Sequence, residues 1–209
     1  MIKNRNDAGK RLAEKLANIV NGKESLVLAI PRGGVVVGEE IAKRLQCPLD
    51  VIISKKITPL SYPEYAIGAI THDETIYRSE NWEKYSQEPN FEEEIQKKKQ
   101  EAKRRLEEYR KNTDYKFGDK TVILVDDGIA TGATVFVLIK WLTEHKVKRI
   151  ILAVPVIPAD TYEEMKPLVD DIVALEIPTE FHAVGEFYKE FDQVSDDKVI
   201  AILDRFKKS

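Results

Sequence analysis

Five short apolar runs punctuate the chain, at Leu26–Ile30, Val51–Ile53, Val122–Val125, Ile150–Val154 and Ile172–Leu175. Within each run the apolar residues are continuous and do not alternate with polar ones. A strand covered on both faces has this pattern, as in a parallel sheet between layers of helix. The stretches between the runs carry helical spacing instead. Ala8, Leu12, Leu16 and Ile19 lie along one helix face, and Val135, Leu138, Ile139 and Leu142 along another. Thr161 with Glu164 predicts a capping box that opens a further helix, which Pro167 ends. Asp196 and Asp197 predict the first turn of a last helix, where negative charge suits the dipole, with Val199, Leu203 and Phe206 facing inward. Strand and helix in alternation predict an α/β fold with a mostly parallel central sheet flanked by helices.

Residues 58–118 break this rhythm. The interval is too long for an ordinary crossover and reads as an insertion within a single domain spanning 1–209. Its first half holds Pro59, Tyr62, Pro63 and Tyr65 and then short β-like pieces around Ala66–Ile70 and Thr75–Arg78. Its second half, Phe91–Lys111, is rich in Glu, Lys and Arg, with Phe91, Ile95, Ala102, Leu106 and Tyr109 forming a thin apolar stripe. Such a stripe suits a solvated helix lying along one narrow seam. A lid or a subunit contact, and with it a homodimer, stays open.

Composition narrows the field of functions. The 209 residues are 43% hydrophobic and 33% charged, enough apolar mass for a true core. A net charge of -3 gives no general attraction to nucleic acid, so an anionic ligand must be caught locally. Cys47 is the single cysteine, which excludes an intramolecular disulfide and a cysteine-based zinc site and suits a reducing compartment. The longest apolar run, Ile150–Ile157, falls far short of the roughly 20 residues a membrane helix needs. The N-terminus lacks the apolar core of a signal peptide. A cytoplasmic protein without nucleic-acid or membrane partners is the expectation.

The segment richest in chemistry is Val122-Ile-Leu-Val-Asp-Asp-Gly-Ile-Ala-Thr-Gly-Ala-Thr134. A buried strand delivers two adjacent carboxylates, Asp126 and Asp127, to a loop of small and hydroxylated residues that opens directly into an apolar helix. Gly128 and Gly132 allow backbone N–H groups close to a ligand. Thr131 and Thr134 add hydroxyls, and the helix N-terminus adds positive potential. This is chemistry for a phosphate. The acidic pair would repel a bare anion, so the ligand should carry a diol or a cation at one end and a phosphate at the other, as ribose 5-phosphate does. A Walker A loop is excluded because Ala133, not lysine, precedes Thr134. A dinucleotide fingerprint is excluded by the spacing of Gly33, Gly34 and Gly38. A phosphorylation receiver is excluded because the following strand ends Ala153-Val154-Pro155 without an acceptor aspartate.

The segment resembles the phosphoribosyl-diphosphate (PRPP) motif of the type I phosphoribosyltransferases: four apolar residues, two acidic ones, then a small-residue loop ending in Thr. Two further places agree. Pro31-Arg-Gly-Gly34 follows the first strand, where the family carries a diphosphate loop, and Ser54-Lys55-Lys56 follows the second, where the family has a basic residue near the leaving diphosphate. Tyr62-Pro-Glu-Tyr-Ala-Ile-Gly-Ala-Ile70 and Phe181-His-Ala-Val-Gly-Glu-Phe-Tyr188 extend the likeness to a group of uncharacterised phosphoribosyltransferase-like proteins, over nearly the whole chain.

The resemblance implies a small hood over the sheet, drawn from residues 176–195. It implies that Gly128, Ile129, Ala130, Thr131, Gly132, Ala133 and Thr134 hold the 5-phosphate and that Asp126 and Asp127 act on the ribose. Arg32 and Gly33 with Lys55 or Lys56 would hold the diphosphate. Mg2+ would be held chiefly by PRPP and water, and a small nitrogenous acceptor would displace diphosphate. A non-proline cis peptide is implied between Arg32 and Gly33. Enzymes for hypoxanthine and guanine have aspartate where this chain has Ala130, which implies a different acceptor. A PRPP-sensing regulator without turnover and another enzyme of phosphorylated ribose stay open. His72, His145 and His182 are not at metal-ligand spacing.

Overall fold

Each of the five apolar runs contributes to a strand of one parallel sheet, although the second run gives only Val51 to its strand. In the computed structural model, which describes residues 1–207, the elements follow in chain order. They are α1 (Arg5–Leu16), β1 (Ser25–Ala29), α2 (Gly33–Leu45), β2 (Leu49–Val51), β3 (Ser54–Ile57), β4 (Gly68–Thr71), β5 (Ile76–Arg78) and α3 (Trp82–Tyr85). Then come α4 (Phe91–Arg110), β6 (Thr121–Val125), α5 (Ala133–Glu144), β7 (Arg149–Val156), α6 (Ala159–Met165), β8 (Asp171–Glu176) and α7 (Asp196–Lys207). The chain divides into two compact units. The first holds Met1–Ile52, Lys116–Thr131 and Val147–Ser209, and the second holds Ile53–Tyr115 and Gly132–Lys146.

The sheet of the first unit has the order β2-β1-β6-β7-β8. Its register sets Leu26 beside Val122 and Val122 beside Ile150, so residues of three apolar runs share one layer. Val122 to Val125 of the central strand are wholly shielded from solvent, which explains the unbroken apolar pattern. α1 packs against α2. Asn4 caps α1 by accepting from the Asp7 N–H at 3.1 Å. Ala8, Leu12 and Leu16 are buried as their spacing predicts, but Ile19 lies beyond the helix end and is exposed. The predicted capping box at Thr161 is not formed. α6 has Pro158 as its N-cap, three residues earlier; the Ala159 N–H is taken by the Pro178 carbonyl at 2.9 Å and the Thr161 N–H by Asp160 Oδ1 at 2.7 Å. α7 buries Val199, Ile202 and Leu203. Glu39 of α2 is buried and accepts from Lys43 at 2.8 Å and from Arg205 of α7. Burial would raise its carboxyl, but these two cations hold it below the usual carboxylate value. Burial pushes the Cys47 thiol up to about 11.

The second unit is a three-stranded antiparallel sheet, β3-β4-β5. It takes in most of the interval 58–118 and also β3 and α5. α4 covers the sheet with Phe91, Ile95, Ala102, Leu106 and Tyr109, the same five residues that form the apolar stripe in the sequence. Ile57, Ile67, Ile70 and Trp82 join Phe91 and Ile95 in one core cluster. α5 packs on β3, β4 and β5 and is buried on nearly every side, and Phe136 stacks on Tyr77 with centroids 4.9 Å apart. Near its C-terminal end, the buried Trp141 donates its indole N–H to Asp73 at 2.7 Å. No helix of the described residues is long and apolar enough to cross a membrane.

Candidate functional site

Asp126 and Asp127 stand at the C-terminal end of β6, the place where open parallel sheets present groups to ligands. Asp126 is half-buried, and its Oδ1 accepts the Asp127 N–H at 2.8 Å. Burial, and then the neighbouring Asp127 carboxylate, push the Asp126 carboxyl well above the usual carboxylate range.

The chain then turns through Gly128. A Cβ there would come within 2.3 Å of Val184, so only glycine lets the segment 184–187 lie this close. Ile129 anchors the loop by donating to the Val156 carbonyl at 2.9 Å, and the Ala130 carbonyl accepts weakly from Thr161 Oγ1 at 3.4 Å. Gly132 adopts φ +73, a left-handed conformation that glycine reaches without Cβ strain. Its carbonyl accepts from Val135 and Phe136 to start α5. The backbone N–H groups of Ala130, Thr131, Gly132, Ala133 and Thr134 donate to no protein acceptor among the described residues. A run of unclaimed donors at a helix start is what an anionic oxygen requires.

The loop after β1 reaches the same carboxylates. A Cβ on Gly34 would meet the Val125 carbonyl at 2.8 Å and Asp126 Cα at 2.9 Å. One on Gly33 would lie 1.7 Å from Asp127 Oδ2. Gly34 is therefore dictated by backbone that cannot give way, and Gly33 by the Asp127 side chain as it pairs with Arg5. Arg32 precedes them with an exposed side chain. The expected cis peptide at Arg32–Gly33 is absent, and the cis bond lies one residue earlier, at Pro31–Arg32. Gly33 is already the first residue of α2 and Arg32 its helical N-cap, so the Arg32–Gly33 bond belongs to the trans geometry of the helix entry.

Arg5 of α1 completes the cluster, and nothing in the sequence marks it. Its Nε donates to Asp127 Oδ2 at 2.6 Å, its Nη1 donates to the Asp192 carbonyl at 2.7 Å, and its guanidinium lies over the Phe191 ring at 3.9 Å. Tyr188 donates its hydroxyl to the Asp127 carbonyl at 2.7 Å. Burial, and then the Asp127 charge, push that phenol upward, so it stays a donor. Tyr188, by contrast, lies in a segment that carries the family likeness, Phe181–Tyr188.

Arg32, Gly33, Asp126, Asp127 and the residues Gly128 to Thr131 thus belong to the first unit, and Gly132 to Thr134 continue the same loop into α5. Lys55 and Lys56 belong to the second unit and are not in a loop. They are strand residues of β3, opposite Ile70 and Ala69, because the chain after β2 goes straight into the antiparallel sheet. Lys55 lies 3.8 Å from Glu101, and partial burial, opposed by that carboxylate, pulls its ammonium below the usual value. No group of three or more His, Cys, Asp or Glu side chains capable of holding a metal occurs among the described residues.

The comparisons with known proteins bear on the family and the fold. A family model described as the phosphoribosyl transferase domain matches residues 1–190. A Mycobacterium tuberculosis protein provisionally named a phosphoribosyl transferase, found in two strains, is 38% identical over 208 residues, 98% of this chain. That alignment covers 47% of the mycobacterial protein, so the chain spans about half the length of these curated relatives. Among solved structures, the protein TT1426 from Thermus thermophilus is 34% identical, with 98% of each chain covered and a TM-score of 0.81. A hypoxanthine phosphoribosyltransferase from Staphylococcus aureus shares the fold alone, at 14% identity and a TM-score of 0.50 over 85% of this chain and 74% of that one. With its parallel sheet, acidic pair and glycine loops, the chain belongs to the phosphoribosyl transferase family.

Proposed function

We propose that the protein transfers the 5-phosphoribosyl group of PRPP to a nitrogen of a small acceptor, with release of diphosphate. The observation that carries this reading is the loop after β6, where two carboxylates at a buried strand end lead into five consecutive backbone N–H groups with no protein acceptor among the described residues. The 5-phosphate is held by those donors and by the Thr131 and Thr134 hydroxyls. The ribose hydroxyls face Asp126 and Asp127, and the diphosphate lies at Arg32 and Gly33.

Displacement of diphosphate builds cationic character on the ribose and negative charge on the leaving group. The carboxylates facing the ribose offset the first, and the Arg32 side chain with the amides of the β1 loop offsets the second. Mg2+ suits this donor set. It retains much of its water and binds through substrate phosphates with one or two protein carboxylates, so no protein cage is required, and Asp126 and Asp127 are the carboxylates available to its water shell. The ion would add positive charge at the departing oxygens.

Ala130 narrows the acceptor. It offers no carboxylate to serve a purine ring nitrogen as acid or base, so hypoxanthine and guanine handled in that manner are disfavoured. The test is incubation with Mg-PRPP and a panel of free bases, followed by diphosphate release. We expect release with one acceptor and none with hypoxanthine or guanine. Tight PRPP binding without release under any base would instead mark a sensor.

A further inference from the structure

The Arg5–Asp127 pair sits where the diphosphate is expected. Asp127 Oδ2 lies so close above Gly33 that a Cβ on that glycine would be 1.7 Å from the oxygen and 2.7 Å from Arg5 Nε. The oxygen that fills the space above the β1 loop is therefore already an anion held by a guanidinium. Arg5 is fixed in place from other directions, by the Asp192 carbonyl on Nη1 and the Phe191 ring against its face. Its side chain is 11% exposed. If Asp127 moved away, these two contacts would keep the guanidinium where it is. Nε and Nη2 form the side fork of the guanidinium. Nε is engaged only by Asp127, and Nη2 donates to no protein acceptor among the described residues. A fork with one arm held by a carboxylate and the other vacant matches two oxygens of a phosphate.

We propose that Arg5 is a diphosphate-binding residue and that the Asp127 carboxylate is a place-holder that it exchanges for the diphosphate when PRPP arrives. The exchange rests on the PRPP reading above. It gives Asp127 two states: paired with Arg5 in the empty protein, and released toward the ribose hydroxyls once the anion takes its place. No bond is made or broken in the exchange. One charge-assisted contact replaces another, and the carboxylate is delivered to the sugar only when the diphosphate is present.

This assignment differs measurably from a structural one in which Arg5 merely orients Asp127. In that case the like charge removed by Asp127→Asn would tighten anion binding to the same extent whether residue 5 is Arg or Gln. In an exchange that gain requires Arg5 and is lost in the double variant Arg5→Gln with Asp127→Asn, because Asp127 competes with the ligand for the same fork. The probe is inorganic diphosphate without Mg2+, titrated calorimetrically into the full chain in the presence of a chelator, with thermal melts to establish folding of each variant. Loss of a charge-assisted contact predicts binding about tenfold or more weaker in Arg5→Gln. Asp127→Asn should bind diphosphate several-fold more tightly than the parent, on the order of the competing pair's strength. Arg5→Lys keeps the charge but loses the fork and should fall between, which also decides the matter if Arg5→Gln does not fold. Parent-like affinity in folded Arg5→Gln or in Arg5→Lys, weakening in Asp127→Asn, or an equal gain from Asp127→Asn in the Arg5→Gln background overturns the exchange. A parent protein that binds neither Mg-PRPP nor diphosphate overturns the PRPP reading along with it. Binding of both by the parent with no effect of Arg5 overturns the exchange alone.

Discussion

The loop after β1 and the loop after β6 each end a buried parallel strand and open a helix, yet the glycines at the two helix entries answer different demands, although Gly128, earlier in the β6 loop, is also required by space against Val184. In the β1 loop, Gly33 and Gly34 are required by space, since any Cβ would enter Asp127, the Val125 carbonyl or the Asp126 backbone. In the β6 loop, Gly132 is required by conformation, with φ +73 ahead of α5. The first loop is thus pressed against the acidic pair, while the second is shaped to leave its amides open. One recurring motif, strand to glycine to helix, can serve as packing surface or as anion cradle, and neighbouring atoms decide which.

The largest break in this comparison comes from the carboxylates that both loops share. Asp126→Asn combined with Asp127→Asn should still fold, as a cooperative thermal melt shows, and remove on the order of 3 kcal/mol or more of transition-state stabilisation, read as kcat/KM for diphosphate release. Normal turnover in that variant would place the chemistry elsewhere. Next is Gly34→Ala, where a methyl group meets backbone that cannot rotate aside. We expect a net loss of about 2 kcal/mol in urea unfolding, with the helical preference of alanine already offsetting part of the clash. Gly132→Ala should cost about 1.5 kcal/mol through its left-handed φ. Equal losses at Gly34 and Gly132 would erase the distinction between space and conformation. The smallest effect is Tyr188→Phe, which strands the Asp127 carbonyl and should cost about 1 kcal/mol in the same measurement.

The sheet was legible because burial on both faces demands unbroken apolar runs, and the stripe of α4 was legible because a helix on a narrow seam needs apolar residues only at its spacing. The acidic pair and the glycine loops were legible because their chemistry is contiguous in the chain. Arg5 was not, because its meaning comes from a partner 122 positions away, and an arginine in the first turn of a helix looks like any solvated charge. The place of Ser54, Lys55 and Lys56 in a strand was hidden because two adjacent lysines give no apolar strand signal, although antiparallel pairing to Ile70 and Ala69 tolerates them. Thr161 misled because a capping box is a local pattern, and the Pro178 carbonyl, distant in sequence, took over the capping.

The placement of two residue types gives each unit its own optical or chemical reporter. Trp82 and Trp141, the only tryptophans, both belong to the second unit, and both are buried. Cys47, the only thiol, is buried in the first. Indole fluorescence therefore follows loosening of the antiparallel sheet and α5, while thiol alkylation follows opening of the parallel sheet. If the two signals report different transitions in one denaturation series, the units unfold separately and a single two-state free energy does not describe the chain.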